Sequence, residues 1–438
     1  MSKYLILALG LLLFSCSEQP QTTDKKEKNT VTEIDYNPHS LPDDLSSISD
    51  DELAPILPML GDARIIGISE GTHEFIEPIQ FRNELLKFLI KRKRIHVIAL
   101  ESGLLESKLV NEYVHGTNVS LDSALNHGLE CNFGEVNLNR DLLKWVREYN
   151  QDSNEDDKIS VYGYDIPGCA PNPVTENARS GINYILDFLK IDSVMYDKYS
   201  SRFNPYMPLL HIKDNRESKE LHFWDIGSAQ WNEIFTILDE LESDLESHQS
   251  EYIKKVGENE VMWAFVAMKG ARQNMDFLRS IGNSDYDYSP RESGQLENLE
   301  WILEKEEGRN IALFAHIAHI AKEIHMKNGG MSVLMGGEHI AEKYEDDYVV
   351  IGNFYRKLDW FDDEPIVLED SLIANELEKK GIKNFYMAVD KSDTLWDKEW
   401  AFGKPSSGGQ VYMNPSEGID IFLYNDVQTW LYHYQENE

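Results

Sequence analysis

The sequence predicts an α/β fold in which a mostly parallel β-sheet is flanked by helices, with a helical insertion that caps one end of the sheet. Short runs of apolar and β-branched residues recur along the 438 residues, and helical patterns separate several of them. These runs are apolar nearly throughout, which is typical of parallel strands that are covered on both faces. The composition, 41% hydrophobic and 11% aromatic, excludes a wholly disordered or fibrous chain.

Seven strands are predicted, and each is a short apolar run. They span residues 64–69, 96–100, 159–164, 310–315, 348–354, 384–389 and 419–424. The stretch from about residue 174 to 308 is mostly helical and exceeds a simple crossover, so we predict a helical insertion there. No internal repeat and no long Pro-, Gly- or Ser-rich linker divides residues 36–438, which are therefore expected to form one α/β domain.

The amino terminus has the pattern of a secretory leader. Lys3 precedes an apolar run, Tyr4–Phe14, which is too short to span a membrane but suits a signal peptide. The run is followed by Cys16, as in the lipobox of bacterial lipoproteins, so we expect residues 1–15 to be removed and Cys16 to be lipidated. Residues 16–35 are polar and indicate a flexible tether.

The location expected from this leader is a membrane-anchored lipoprotein that faces the periplasm or the cell surface. An ordinary secretory signal and a buried apolar strand are the alternative interpretations of the same residues.

The charge balance excludes several classes of partner. Lys and Arg total 42 against 77 Asp and Glu, which gives a net charge of −35. Such a chain repels nucleic-acid phosphates and anionic lipid headgroups. We therefore expect no nucleic-acid partner, and membrane contact only through a lipid on Cys16. Three Cys cannot form a disulfide framework or a four-Cys zinc site, and a pairing of Cys131 with Cys169 stays open.

Polar and ionisable residues follow four of the predicted strands, at the point where each strand ends. They are Glu70, Thr72 and His73 after the first strand, Glu101 after the second, Asp165 after the third, and His316 and His319 after the fourth. In open α/β sheets the ligand site lies beyond the carboxyl ends of the strands. Four such groups at one edge of the sheet therefore predict an active site.

Arg82 is predicted to join this cluster. The helix that begins near Pro78 carries Arg82 at helical spacing from Leu89, on the stripe that should face the sheet. An unpaired buried guanidinium is very costly, so Arg82 requires an anionic partner, and Glu70 and Glu101 are the candidates. The alternatives are that Arg82 extends to the edge of the sheet or makes a purely structural ion pair.

Two other interpretations use the same residues. Gly67–Gly71 matches the G-x-S-x-G pattern, so Ser69 could be a serine nucleophile with His316 as its base, although no oxyanion-forming loop precedes it. His316 and His319 could contribute to a metal site that His73, Glu70 and Asp165 complete. However, no single segment supplies three ligands. We therefore predict neither a metal nor another cofactor.

Several segments, taken in order, resemble the erythromycin esterase family. They are residues 66–75 (IGISEGTHEF), Arg82, Ala99–Glu101, Tyr162–Asp165, Arg291 with Asn298, Leu299 and Trp301, Ala315–His319, Met335–Gly336 and Ile351–Gly352. The resemblance extends from about residue 60 to the last strand. Three positions depart from the family pattern: Ser69 replaces a glycine, Ile317 replaces an asparagine between the two histidines, and Glu292 replaces an aspartate.

The resemblance implies a hydrolase that cleaves a carboxylic ester or a macrolactone, such as a macrolide antibiotic, without a metal. We expect His73 to act as the general base, because histidine is the side chain tuned to activate water near neutral pH. Glu70 and Glu101 would orient His73, and Arg82 would hold these carboxylates. His316, protonated or donating, would stabilise the oxyanion or protonate the leaving alkoxide.

Asp165, His319 and Arg291 complete the cluster and are expected to bind the small-molecule substrate. A cationic amino sugar would suit an acidic cleft. Two other functions stay open. One is a metal-dependent hydrolase on a related fold. The other is a non-catalytic, surface-tethered lipoprotein that binds a ligand, which the replacement of asparagine by Ile317 motivates.

Overall fold

The computed structural model describes residues 37–130, 133–167, 179–210, 223–282, 287–326, 333–359, 366–367, 379–394, 396–397, 399–406 and 409–431. Pro38–Glu438 form one compact unit. The other unit, Met1–Asn37, contains the expected signal peptide and tether, which lie outside the described residues, as do all three cysteines.

The strands are numbered in chain order. They are β1 (His39–Leu41), β2 (Ile65–Glu70), β3 (Val97–Gly103), β4 (Ser160–Asp165), β5 (Ile311–His316), β6 (His325–Met326), β7 (Tyr348–Asp359), β8 (Ile366–Val367), β9 (Asn384–Ala388), β10 (Trp400–Ser406), β11 (Gly409–Met413) and β12 (Ile421–Thr429).

The α-helices are numbered in the same way. They are α1 (Asp50–Leu53), α2 (Ile56–Leu60), α3 (Ile76–Lys91), α4 (Lys108–Val114), α5 (Leu121–Gly128), α6 (Asn137–Asp152), α7 (Ser180–Leu189), α8 (Ser193–Phe203), α9 (Ser228–Val256), α10 (Glu258–Gly282), α11 (Ser289–Lys305), α12 (Ile317–Ile320), α13 (Gly336–Tyr344) and α14 (Pro415–Gly418).

The main sheet is mixed and mostly parallel. Within the described residues its strands lie in the order β1-β9-β12-β7-β2-β5-β3-β4, and β8 pairs with β7 beside this row. The six strands from β12 to β4 are parallel neighbours, whereas β9 is antiparallel to both β12 and β1. Helices flank this sheet, so the predicted fold class is confirmed. β10, β11 and β6 form a separate antiparallel sheet.

All seven predicted strands are present in the sheet. The strand predicted at residues 348–354 continues to Asp359, and the one predicted at 419–424 starts at Ile421 and continues to Thr429. Polar residues interrupt the apolar pattern in both extensions, so the pattern does not predict that these residues belong to the strands. β7 and β12 remain paired in parallel as far as Asp359 and Thr429.

The strands that carry the predicted site are buried on both faces, which explains their continuous apolar runs. Every residue of β2, β3 and β4 is buried. One face of the sheet, with Ile98 and Phe314, shares a hydrophobic core with Leu85 and Leu89 of α3 and Leu142 of α6. At β4 the sheet also packs against α11. Helical cover of this kind is what parallel sheets require.

Among the described residues between β4 and β5 there are five helices, α7 to α11, in the stretch where a helical insertion is expected. α10 packs against α7, α9 and α11. Because α11 also packs against β4, this helix connects the helical region to the edge of the sheet. Among the described residues, every helix is either too short or too polar to span a lipid bilayer.

Two features at the carboxyl edge of the sheet position the site. Glu70 and His316 are Cα partners in the parallel ladder of β2 with β5, so they end their strands at the same level. The register of β3 with β4 shifts between Leu100 and Gly103, and Glu101 lies in this irregular segment. Irregularities of this kind re-aim side chains next to active sites.

Candidate active site

The carboxyl ends of β2, β3, β4 and β5 carry the residues predicted from the sequence. Glu70, Asp165 and His316 are the last residues of β2, β4 and β5, and Glu101 lies near the end of β3. The three acids are nearly inaccessible, with exposed fractions of 2% for Glu70, 3% for Glu101 and 0% for Asp165. Buried acids at strand ends therefore form the floor of the site.

Glu70 and His73 form the outer pair of the site. His73 Nδ1 lies 2.6 Å from Glu70 Oε1, and 51% of the His73 side chain is exposed. Burial of the ring lowers the pKa of His73, but the charge and hydrogen bond of Glu70, together with the charge of Glu101, outweigh it and raise the pKa to about 9. His73 is thus held through Nδ1 while much of its ring stays accessible.

Glu101 connects β3 to β5 and to the helical region. Its Oε2 accepts a hydrogen bond from the backbone N–H of His316 at 2.8 Å, and its Oε1 accepts one from Arg291 Nη2 at 2.9 Å. Burial alone would raise the pKa of Glu101. The charges of His319, His73 and Arg291 outweigh burial and hold the pKa well below its usual range. Glu101 is therefore ionised at neutral pH.

Arg291, in the first turn of α11, supplies the buried cation of this network. It donates to the Asp165 carboxylate from Nε, at 3.1 and 3.2 Å, and from Nη2, at 2.5 Å. Burial lowers the pKa of Arg291, but Asp165 and Glu101 raise it well above its usual value. Burial raises the pKa of Asp165, which the charge of Arg291 opposes. Arg291 and Asp165, both expected to bind substrate, are thus engaged with each other.

His319, also expected to bind substrate, lies against α11 and is 8% exposed. Its Nδ1 is 2.9 Å from Glu292 Oε2, and its Nε2 is 3.1 Å from Arg291 Nη1 and 3.5 Å from Glu101 Oε1. Burial lowers the pKa of His319, but the charges of Glu292 and Glu101 outweigh burial and the charge of Arg291 and raise it. His319 therefore belongs to the buried ionic network.

His316 lies beside His73, with 5.0 Å between the ring centroids. Its Nδ1 accepts the N–H of Ala318 at 3.2 Å and caps the short helix α12. Burial and the charge of His73 lower the pKa of His316 to about 3. His316 is therefore neutral at physiological pH and carries its proton on Nε2. A neutral ring with its proton on Nε2 is compatible with the expected donor role.

Arg82 is fully buried, but its partners are not the predicted ones. Its Nε and Nη2 donate to Asn83 Oδ1 at 3.0 and 2.7 Å, and Nη2 also donates to Asn139 Oδ1 at 2.5 Å. Arg82 makes no ion pair with Glu70 or Glu101, and all three residues are within the described part of the chain. The predicted pairing is therefore wrong: Arg82 lies on α3 beneath the sheet, and Arg291 reaches Glu101 instead.

The environment of Arg82 still couples its charge to the site. The guanidinium carbon lies 4.3 Å from the centroid of the Phe314 ring, on β5. Burial lowers the pKa of Arg82 to about 9, and the charge of Glu70 opposes this shift. Arg82 is therefore a buried cation that stabilises the Glu70 carboxylate from below without a hydrogen bond to it.

Ser69 does not have the geometry of a nucleophile. It is 1% exposed, and its Oγ accepts the backbone N–H of Asn353 at 2.8 Å. The pairing of β2 with β7 ends at Ile68 and Ile351, so this bond continues the connection of the two strands. Within the described ranges, no three His, Cys, Asp or Glu side chains are grouped so that they could hold a metal ion.

Three residues of the network are not among the predicted site residues, although the family resemblance includes Glu292 and Asn298. Glu292 contacts His319, Asn139 holds Arg82, and Asn298 Nδ2 donates to the backbone carbonyl of Asp165 at 2.9 Å. The available signal is a polar residue on an apolar helical stripe: all three are at least 99% buried. Their partners are distant in sequence, so the pattern alone does not assign them.

The comparison with protein families places this site in a known context. A family model described as erythromycin esterase matches residues 90–357, which is more than half of the chain. The chain belongs to the erythromycin esterase family. The matched region contains Glu101, Asp165, Arg291, His316 and His319, whereas Glu70, His73 and Arg82 precede it. Membership of the erythromycin esterase family supports a hydrolase.

Curated erythromycin esterases from Escherichia coli are distant relatives of this chain. The type II enzyme is 24% identical over 316 residues, which is 69% of this chain and 71% of the relative. The type I enzyme is 24% identical over 300 residues, which is 64% of this chain and 68% of the relative.

Solved structures share the fold of this erythromycin esterase family member. A Bacillus cereus protein has a TM-score of 0.71 at 19% identity, over 90% of this chain and 95% of that one. An erythromycin esterase mutant in its open conformation has a TM-score of 0.65 at 18% identity, over 88% of this chain and 97% of that one. A succinoglycan biosynthesis protein has a TM-score of 0.66 at 16% identity, over 90% and 95% of the two chains.

Proposed function

We propose that this protein hydrolyses a carboxylic ester or macrolactone, with a water molecule activated by His73 and without a metal. The observation that carries the proposal is the His73–Glu70 pair, with 2.6 Å between Nδ1 and Oε1 and half of the imidazole exposed. A buried carboxylate that orients an accessible histidine is the usual arrangement around a general base. Family membership supports the same class of reaction.

The reaction starts from the neutral form of His73, which keeps its proton on Nδ1 toward Glu70. Nε2 takes a proton from water as the water oxygen attacks the ester carbonyl, which gives a tetrahedral oxyanion and an imidazolium. The Nε2–H of neutral His316, whose ring is 5.0 Å from that of His73, would exchange its hydrogen bond with the Gly71 backbone for one to the oxyanion. When the intermediate collapses, the C–O bond breaks and His73 returns the proton to the leaving alkoxide.

The buried network stabilises the charge that develops in this reaction. Glu70 and Glu101 both raise the pKa of His73, so they favour the imidazolium that forms in the transition state. The positive charges of Arg291 and Arg82 compensate the negative charges of these buried acids. The same stabilisation leaves most of the resting His73 protonated at neutral pH, so we expect hydrolysis to accelerate as the pH rises toward 9.

Mass spectrometry of products tests the proposal directly. Purified protein is incubated with erythromycin, a panel of simple lactones and a simple carboxylic ester, each with and without a chelator. We expect a mass gain of one water on at least one lactone, unchanged by the chelator and lost in His73→Asn. His115→Asn is the matched control, since His115 is exposed and its Nδ1 lies 2.8 Å from the backbone carbonyl of Asn111, away from the site.

The outcomes separate the alternatives. Loss of activity with chelator would indicate a metal-dependent hydrolase. Saturable binding without turnover would indicate a ligand-binding protein. Full activity of His73→Asn would contradict the assignment of the base. If erythromycin is the substrate, expression of the protein should also raise the macrolide concentration that a susceptible host tolerates.

We also propose that a lipid on Cys16 anchors the protein outside the cytoplasm. The apolar run before Cys16 and the polar segment after it support this proposal. In a bacterial host, wild-type protein should sediment with membranes and incorporate a fatty-acid label. Cys16→Ser should abolish the label. An unlabelled wild-type protein would contradict the proposal.

A further inference from the structure

His319 lies between two consecutive residues of α11. Its Nδ1 is 2.9 Å from Glu292 Oε2, and its Nε2 is 3.1 Å from Arg291 Nη1. Neighbouring residues on a helix point in different directions, so one ring contacts both only when it is inserted between them. Glu292 is fully buried and takes no part in the proposed reaction.

The chemistry of these partners determines where His319 carries its proton. A guanidinium has only N–H donors, so His319 Nε2 must be the acceptor in its contact with Arg291. The single proton of the neutral ring is then on Nδ1, which donates to Glu292 Oε2. Burial alone would raise the pKa of Glu292, but the hydrogen bonds donated by His319 and by the Gly336 backbone, together with the charge of Arg291, oppose burial, and the pKa is lowered. Glu292 is therefore an ionised acceptor.

A purely structural carboxylate does not need this arrangement. Oε2 of Glu292 also accepts the backbone N–H of Gly336 at 2.8 Å, whereas Oε1 has no hydrogen-bond partner among the described residues. A buried carboxylate with one unsatisfied oxygen is costly, and native proteins retain such groups mainly at functional sites. A neutral side chain could accept from Gly336 at lower cost.

We propose that Glu292 is a positioning residue that fixes His319 in the Nδ1–H tautomer and thereby aims Arg291 at Glu101. With the proton on Nε2 instead, two donors would face each other 3.1 Å apart. His319 would then turn toward Glu101 Oε1, 3.5 Å away, or Arg291 would withdraw. Either movement disturbs the hydrogen bond of 2.9 Å between Arg291 and Glu101. It therefore also disturbs the Glu101 carboxylate, whose charge raises the pKa of His73.

This inference rests on the proposed hydrolase function only for its activity readout. The tautomer is measured without substrate, by long-range ¹H–¹⁵N NMR of protein labelled with ¹⁵N-histidine. His319→Asn assigns the signal. The pKa of His319 is raised, so the tautomer is read at a pH above that pKa, where we expect a neutral ring with its proton on Nδ1 in wild-type protein. A proton on Nε2 in the neutral ring would overturn the proposal.

Two substitutions separate the hydrogen bond from the charge. Glu292→Met removes the acceptor at similar length, so we expect the His319 proton to move to Nε2 and kcat/KM to fall by about tenfold to a hundredfold, with little change in KM. Glu292→Gln keeps an acceptor oxygen, so we expect it to restore the Nδ1–H tautomer and most of kcat/KM. Glu304→Met, at an exposed position of the same helix, is the matched control.

Each outcome of this experiment has a definite meaning. A change in thermal stability of Glu292→Met without a change in tautomer or kcat/KM would show a structural role and overturn the proposal. If Glu292→Met does not fold, the wild-type spectrum and Glu292→Gln decide the question. If the wild type hydrolyses none of the panel esters, the tautomer still tests Glu292, and only the proposed function fails.

Discussion

Removing the charge of Glu70 should lower the pKa of His73 and shift the pH dependence of hydrolysis. Glu70→Gln is the sharpest form of the change, because the amide oxygen can still accept the Nδ1–H bond that measures 2.6 Å in the wild type. The charge and hydrogen bond of Glu70 are the two largest influences that raise the pKa of His73, and burial opposes them. Without that charge, we expect the pKa to fall from about 9 toward 6.5 or below.

The size of the effect follows from the two protonation equilibria. With a pKa of about 9, about 1% of His73 is neutral at pH 7. With a pKa near 6.5, about three quarters of His73 is neutral at pH 7. The fraction of His73 that can act as a base at pH 7 therefore rises by at most about 75-fold. Solvent screens a ring that is 51% exposed, so the measured gain should be smaller.

Two measurements read this effect. An NMR titration of His73 gives its pKa directly, and the rising limb of kcat/KM against pH gives the pKa of the catalytic base in the free enzyme. Both midpoints should move to lower pH in Glu70→Gln, while the plateau rate falls because the neutral amide stabilises the imidazolium less well. Glu84→Gln is the control, since Glu84 pairs with Lys87 on α3 at 2.7 Å. A wild-type midpoint near 6.5, or an unchanged midpoint in Glu70→Gln, would refute the reasoning.

Three further outcomes are expected. Ser69→Ala removes the Oγ that accepts the N–H of Asn353 at 2.8 Å, so chemical denaturation should show that the free energy of unfolding falls by about 1–3 kcal/mol. The variant should still hydrolyse the substrate, whereas a serine esterase would lose its activity. Arg291→Met removes the guanidinium that pairs with buried Glu101 and Asp165 and should cost about 3–5 kcal/mol in the same assay, with Arg291→Lys less affected; equal stability of all three proteins would contradict this. The raised pKa of His73 contributes stability that is complete below pH 6.5 and is lost as the pH rises through about 9. Unfolding free energies between pH 6 and 10 should therefore decline in the wild type, and His73→Asn should lack this component.

The edge of the sheet where the site forms could be predicted from the sequence because strand signals are local. A buried parallel strand is a continuous apolar run, and the residue after the run lies at the carboxyl edge wherever the strand lies in the sheet. This reasoning predicts that Glu70, Glu101, Asp165 and His316 lie at that edge, and all four do. The strand extensions of β7 and β12 were missed because their polar residues carry no such signal.

The partner of Glu101 could not be predicted by the same reasoning. Arg82 is near both acids in sequence and lies on a helix stripe that faces the sheet, yet its hydrogen bonds go to Asn83 and Asn139. Arg291 comes from a helix 190 residues beyond Glu101 and reaches it at 2.9 Å. Which of two buried cations meets an acid depends on how α3 and α11 pack against the sheet, and spacing along the chain does not contain that information.

The sequence by itself determined the fold class, the edge at which the site forms, the family resemblance and most residues of the site. Only the tertiary structure decided the ion pairs and the protonation states. His73 and His316 follow strands in the same way, yet the pKa of one is raised to about 9 and that of the other is lowered to about 3. The physical reason is that a pKa depends on burial and on charges brought near by the fold, whereas a strand depends on residues adjacent in the chain.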